Sequence, residues 1–316
     1  MTKNRRAFLS EISLMAGTAV LCKPLASAAA ITKHINTLYT AKNAVTVYHT
    51  NDIRGNIDPV YKNIGGLSLI KAELEKQETS GLLLDAGNFI NGTASFTQQK
   101  QVIAIMNKMG YHAAAIGSQE LSMGQDHLAS LAPLMNFAIL NCNYEFSSNL
   151  SSLVKPYIII NTGNFRVGIT GVGNQFKGIK YNDAIESANK VARLLKNEER
   201  CDLVICLSHL EYMREDNKAN NHKLAAQSEN IDMIIGSSGN KMLINSKVLH
   251  NKIKHEILLA QTAWDGMMLG HTIISFDSNK QKNDIKAKHF IPGTSTRYFA
   301  ASFSDLRLKK DELLSV

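Results

Sequence analysis

Apolar runs of strand length alternate along this chain with segments of helical spacing, and five of the runs end in a short polar turn. Residues 44–50 form the first run and lead into His49-Thr50-Asn51-Asp52-Ile53-Arg54-Gly55. Residues 81–85 lead into Asp85-Ala86-Gly87-Asn88, and 112–116 into Gly117-Ser118-Gln119-Glu120. Residues 202–208 end in Leu207-Ser208-His209-Leu210, and 231–235 in Gly236-Ser237-Ser238-Gly239-Asn240. Further runs at 137–142, 157–160 and 166–172 read as strands, while 67–76, 99–109 and 183–196 carry helical periodicity. Toward its end the chain turns β-rich, at 247–250, 256–261, 267–276 and 285–290. Strands interleaved with helices predict an α/β fold with buried sheets. Ligands in such folds gather at the carboxyl ends of strands, so the polar turns predict a site assembled from several loops.

The N-terminus carries a different signal. Arg5-Arg6-Ala7-Phe8-Leu9 precedes an apolar run over 12–21, and Ala26-Ser27-Ala28 offers a small-residue cleavage site. A basic start, a short apolar core and small residues predict a bacterial signal peptide. Paired arginines followed by Phe-Leu point to the twin-arginine route, hence to a periplasmic or otherwise exported protein. Lys23-Pro24 interrupts the apolar run, which is too short for a stable membrane span. The expected division is a leader over 1–28, an extension over 29–43, one domain over 44–295 and a tail over 296–316. Four basic residues and one acid in the leader carry +3 of the formal net charge of +8. The rest is mildly basic along its length, which suits small anions, and no nucleic-acid polymer is expected as a partner. Cys142, Cys201 and Cys206 follow the leader with no metal-ligand spacing, and read as buried thiols rather than a disulfide framework. Lys310-Asp311-Glu312-Leu313 is not C-terminal and reads as a surface run, not a retention signal.

Six blocks, in order from about residue 45 to 277, resemble the 5′-nucleotidase-type metallophosphatases of the calcineurin-like superfamily. His49-Thr50-Asn51-Asp52 is similar to their first motif, which continues x-His. Leu84-Asp85-Ala86-Gly87-Asn88 resembles their Asp-Ala-Gly-Asp block, and 116–124 their Gly-Asn-His-acid block. Residues 202–209 resemble the strand ending Leu-Ser-His, and 231–240 the Gly-Gly-His-Thr-His block. Gln261, Gly266 and Gly270 resemble the closing strand. The resemblance implies a four-layer α/β/β/α sandwich. It also implies two divalent metals of the zinc, manganese or calcium type at the strand ends, which activate water for in-line displacement at phosphorus.

Carried over residue by residue, that site is largely dismantled. Asp52 and His209 keep the family residue. Arg54 stands at a ligand His, Asn88 at the bridging Asp, Ser118 at the ligand Asn and Gln119 at the catalytic His. Ser238 and Asn240 stand at the two His of the last block. Asn88 offers a neutral oxygen but cannot bridge two dications. Arg54 adds a fixed positive charge and no lone pair, and Gln119 cannot give a proton near neutral pH.

The reading that follows is an inactive, exported relative with no metal cofactor. It would bind a phosphate or nucleotide ligand through Arg54, Asn88 and His209, or pair with an active homologue or a separate base-binding subunit. The resemblance covers only the metallophosphatase domain, so base recognition would come from elsewhere. Two roles are open for Arg54. Its guanidinium fork suits phosphate oxygens, or it pairs with Asp52 and fills the hole. The alternative function is a metal-dependent phosphoester hydrolase rebuilt around one metal with Asp52, His209, Asp85 and Glu120 or Asp58.

Overall fold

The computed structural model describes residues 43–61, 63–237 and 246–293. The leader with its paired arginines, nearly all of the extension and the tail lie outside the described residues, as do Ser238 and Asn240.

In chain order the strands are β1 (Ala44–Thr50), β2 (Leu82–Asp85), β3 (Ala113–Ala115), β4 (Ala138–Leu140), β5 (Tyr144–Glu145), β6 (Val154–Lys155), β7 (Tyr157–Thr162), β8 (Phe165–Gly173), β9 (Lys180–Tyr181), β10 (Leu203–His209), β11 (Met233–Gly236), β12 (Lys247–His250), β13 (Glu256–Ala260), β14 (Leu269–Phe276) and β15 (Lys282–Phe290). The α-helices are α1 (Leu67–Glu75), α2 (Phe96–Met109), α3 (Ser118–Leu121), α4 (Gln125–Leu131), α5 (Ser148–Ser151), α6 (Ala184–Asn197) and α7 (Asn221–Gln227).

Two sheets hold the molecule together. The first runs β15-β14-β1-β2-β3-β4-β6 and the second β12-β13-β11-β10-β8-β7. Their facing sides are apolar: Val45, Val47, Leu82, Leu84, Ala113 and Ala115 meet Val167, Ile169, Leu203, Ile205, Leu207 and Met233 in one buried cluster. Because side chains alternate along a strand, the residues between these point outward and need a second cover. Tyr48, Leu83, Ala114 and Ile139 take it from α1, α2 and α4, through residues such as Ile70, Ile103 and Leu128. Val204, Cys206 and Ile234 take it from α6 and α7, through Ala188, Leu195 and Leu224. Helix, sheet, sheet and helix are therefore stacked, which is the expected four-layer sandwich. Strands buried on both faces read in sequence as continuous apolar runs rather than alternating ones.

The sequence-based boundaries shift where local hydrogen bonds decide them. Helix α2 starts at Phe96 rather than 99, because Ser95 and Gln98 exchange the two bonds of a capping box. It ends at Gly110, whose φ of 81° lies in the left-handed region. Asp183 caps α6 by accepting the N–H of Ile185 and Glu186 at 2.9 and 2.8 Å. Strand β15 begins at Lys282, three residues before its apolar signal. It forms an edge of the first sheet, with Lys286 and Lys288 exposed. All three described cysteines are free thiols. Cys201 and Cys206 are buried and Cys142 is partly so. Among the described residues no helix is long and apolar enough to cross a membrane.

Candidate functional site

Strands β1, β2 and β3 are parallel neighbours, so their carboxyl ends open on the same edge of the first sheet. Backbone bonds tie the first two loops together. The N–H groups of Asp52, Arg54 and Gly55 donate to the carbonyls of Gly87, Asn88 and Phe89 at 3.0, 2.7 and 3.0 Å. This lacing holds Asp52, Arg54 and Asn88 in left-handed backbone conformations, with φ of 50°, 54° and 58°. Asp265, whose N–H donates to the Asp52 carbonyl at 2.7 Å, is a fourth at 56°. Such conformations cost about 1 kcal/mol or more each outside glycine and persist where surrounding structure over-determines them.

Glu120 is the anchor. Fully buried, its carboxylate accepts the N–H of Gly117, Asn88 and Ile90 at 2.7, 2.9 and 3.1 Å, clamping the loop after β2 to the start of α3. Burial raises its pKa, against the lowering effect of those bonds and of His209. Asp85 accepts the Thr50 hydroxyl at 2.6 Å and the Gly87 N–H at 2.8 Å. Burial lifts its carboxyl well above the usual range. Asp58 is exposed. Besides Asp52, the carboxylates available to a rebuilt site are therefore two structural clamps and one surface group.

The second sheet contributes His209, the last residue of β10. Its Nδ1 lies 2.9 Å from the Ala86 carbonyl, which can only accept, so Nδ1 carries the proton. Two glycines admit this ring. A Cβ at Gly87, where φ is 98°, would meet His209 Nδ1 at 2.8 Å. One at Gly117 would meet His209 Cε1 at 2.8 Å and collide with the Asn88 side-chain oxygen.

Asp52 is buried at the centre. Its Oδ1 accepts from Asn88 Nδ2 at 3.0 Å and its Oδ2 from Asn51 Nδ2 at 3.2 Å. Arg54 Nη2 stands 3.9 Å from Oδ1, with the Arg54 side chain 38% exposed. The Asn88 amide has its orientation set from the far side: its Oδ1 accepts the Gln119 N–H at 2.9 Å and faces the Ser118 hydroxyl at 3.4 Å. Gln119 turns its own side chain away, with Oε1 accepting the Gly92 N–H at 2.8 Å. The Gln119 side chain is thus a structural tie between two loops.

Asp52, Arg54, Asn88, Ser118, Gln119 and His209 belong to this one network of loops, as the sequence blocks predict. Asn56 and Asp265 escaped the sequence reading. Asn56 Nδ2 donates to Asp265 Oδ1 at 3.0 Å. Burial pushes the Asp265 carboxyl up to about 6, opposed by the nearby Arg54 charge and reinforced by Asp52. The two residues lie 209 positions apart. The only local cue was the turn-forming Asp265-Gly266 pair.

No protein-family model matches the sequence. Individual proteins do. The trifunctional nucleotide phosphoesterase YfkN of Bacillus subtilis is 25% identical over 276 residues, 74% of this chain and 18% of that protein. The snake venom 5′-nucleotidase of Gloydius brevicauda is 29% identical over 232 residues, 63% of this chain and 37% of that protein. The structure of a 5′-nucleotidase precursor from Thermus thermophilus superposes with a TM-score of 0.69 at 22% identity. The match covers 86% of this chain and 59% of that one, and shows the shared fold. The chain is similar to 5′-nucleotidases and related nucleotide phosphoesterases. It spans well under half the length of these two curated relatives.

That similarity raises the question of two divalent metals, and the described donor set does not fit them. Among the described residues no cluster of three or more His, Cys, Asp or Glu side chains is arranged to hold a metal ion. Where a 5′-nucleotidase would need a bridging carboxylate, Asn88 presents N–H bonds to Asp52. An amide so turned repels a cation from the place where the metal would bind.

Proposed function

We propose that this chain is an exported member of the 5′-nucleotidase family that does not hydrolyse phosphoesters. Its strand-end face serves partner recognition instead of turnover. The observation that carries the reading is the direction of the Asn88–Asp52 hydrogen bond, donor toward carboxylate across 3.0 Å. Two-metal hydrolysis needs anionic oxygen at that position to bring two cations together. Gln119, engaged with Gly92, offers no general acid in the family's histidine position.

Support for a partner comes from the rim. Val60, Phe96, Met123 and Met213 are large apolar side chains between 42% and 54% exposed. They lie on the segments that follow β1, β2, β3 and β10. Single exposed apolar residues on a surface are ordinary, but four on the segments that carry the site's loops suit a partner with an apolar face. Export rests on Arg5-Arg6 and the apolar run after them.

The test is hydrolysis of AMP and of an aryl phosphate by the purified protein after dialysis, with and without added manganese or zinc. Turnover at background level under both conditions is expected. Metal-stimulated turnover that is lost in Asp52→Ala would sink the proposal.

A further inference from the structure

Asp52 poses a problem that its family context sharpens. A carboxylate buried among loops, with no cation, is strongly destabilising. In the metal-holding relatives implied by the family, metal ions meet that need. Here two groups converge on the same oxygen, Oδ1, from two different loops. Asn88 Nδ2 comes from the loop after β2 at 3.0 Å, and Arg54 Nη2 from the loop after β1 at 3.9 Å. Asn51 Nδ2 holds the other oxygen.

The polarity of this arrangement is fixed by its surroundings. Flipping the Asn88 amide would set its NH₂ against the Gln119 N–H and its oxygen against the Asp52 carboxylate. Both contacts would then be repulsive. The Arg54 charge also acts on a second carboxylate, Asp265, whose Oδ1 is held by Asn56. A guanidinium paired with Asp52 has its charge met within the protein. That favours a cation serving the fold over a fork awaiting an external anion.

We infer that Arg54 and Asn88 form a built-in counter-ion for Asp52, standing in for a metal, and that side-chain changes at these two positions alone would reopen a divalent-cation site. The inference rests on the non-hydrolysing reading above, but concerns charge balance and is tested without turnover. The backbone needed for such a site is present. Asp52, Arg54 and Asn88 hold left-handed conformations secured by the laced loops and by Glu120, none of which the two side-chain changes disturb.

Two measurements test it on the full chain. In the first, thermal unfolding is followed in a double-mutant cycle of Arg54→Gly and Asp52→Asn. Glycine removes the cation while relaxing the backbone at φ 54°, and the Asp52→Asn background separates the charge term from lost packing and added chain entropy. Arg54→Gly should lower the unfolding midpoint by several degrees, and adding Asp52→Asn should restore most of the loss. Equal midpoints for wild type and Arg54→Gly, or an equal loss in the Asp52→Asn background, would overturn the inference.

In the second, manganese is titrated into chelator-treated protein by calorimetry. Wild type should show no saturable uptake and no shift in midpoint. The Arg54→His/Asn88→Asp double variant should take up about one equivalent and regain in manganese the midpoint it loses in chelator. Saturable uptake by wild type that Asp52→Asn abolishes would overturn the inference. So would inorganic phosphate binding in chelator that Arg54→Gly abolishes, since it would mark the guanidinium as a free anion fork. Neither result depends on hydrolysis, so this inference can fail while the non-hydrolysing reading stands.

Discussion

Around Asp52 the buried carboxylates are met by amide, hydroxyl or backbone donors, whereas on β1 and β14 two imidazoles are buried with little to meet them. Glu120, Asp85, Asp52 and Asp265 each accept at least one hydrogen bond at the strand ends. His49 and His271 lie in the adjoining sheet positions, and neither ring nitrogen of either residue has a hydrogen-bond partner among the described residues. His49 sits edge-on to His289 at 6.2 Å between centroids, and His271 stacks on Tyr48 at 4.7 Å. Burial lowers the His49 pKa to about 3, helped by the neighbouring histidines. It lowers that of His271 to about 4, helped by Lys288. The first region tolerates polarity by supplying donors, which also fixes a geometry. The second tolerates it by keeping rings neutral, which fixes a protonation state. The two regions should therefore respond differently to mutation and oppositely to acid.

The sharpest way to break the comparison is to remove the anchor. Glu120→Ala leaves three buried N–H groups without an acceptor, which costs about 3 kcal/mol or more. Chemical denaturation should show that loss. A change below about 1 kcal/mol would mean that the loops hold themselves and that Glu120 is incidental.

The imidazoles come next. An unfolded histidine binds a proton below about 6.5 while buried His49 does not, so wild type loses stability as pH falls through that window. The loss is about 1.4 kcal/mol per pH unit relative to His49→Gln, on the order of 3 kcal/mol by pH 4. Comparison with the variant matters, because the raised carboxyls of the other region move stability the other way. Parallel pH curves for the two proteins would show that His49 is charged or hydrated in the fold.

The smallest effect sharpens the contrast by its sign. Asp265 has a folded pKa of about 6 against an ordinary 3.8. Its ionised form therefore destabilises the fold above about pH 6, and the penalty fades as pH falls toward 3.8. Relative to Asp265→Asn, wild type should gain about 1–2 kcal/mol across that interval, discounted for partial exposure. A stability difference between the two that does not vary with pH would remove Asp265 from the charge balance around Arg54.

Much of the layer structure was legible because double-sided burial leaves continuous apolar runs. The runs at 44–50 and 247–250 match β1 and β12 to the residue. Which loops meet was legible too, since Asp52, Asn88, Ser118, Gln119 and His209 all follow or end strands at one edge. Directions were not. Nothing local announces that Asn88 points its nitrogen at Asp52, because the bonds that turn it come from Ser118 and Gln119, 30 and 31 positions away. Nor does sequence distinguish Gln119 as a ligand-facing residue from Gln119 as a tie to Gly92. The same holds for the Asp265–Asn56 pair, which exists only once β14 has come back to lie against β1.

Strand β15 has a consequence for molecules in company. A sheet edge is a template on which another chain can lay its own strand, and among the described residues β15 pairs on one side only, along 9 residues. Here the template is written in cations, with Lys282, Lys286 and Lys288 along the outer strand and Asp284 among them. A second copy approaching edge to edge would bring lysines against lysines. Stacking of copies along that edge is discouraged by repulsion before any backbone bond can form.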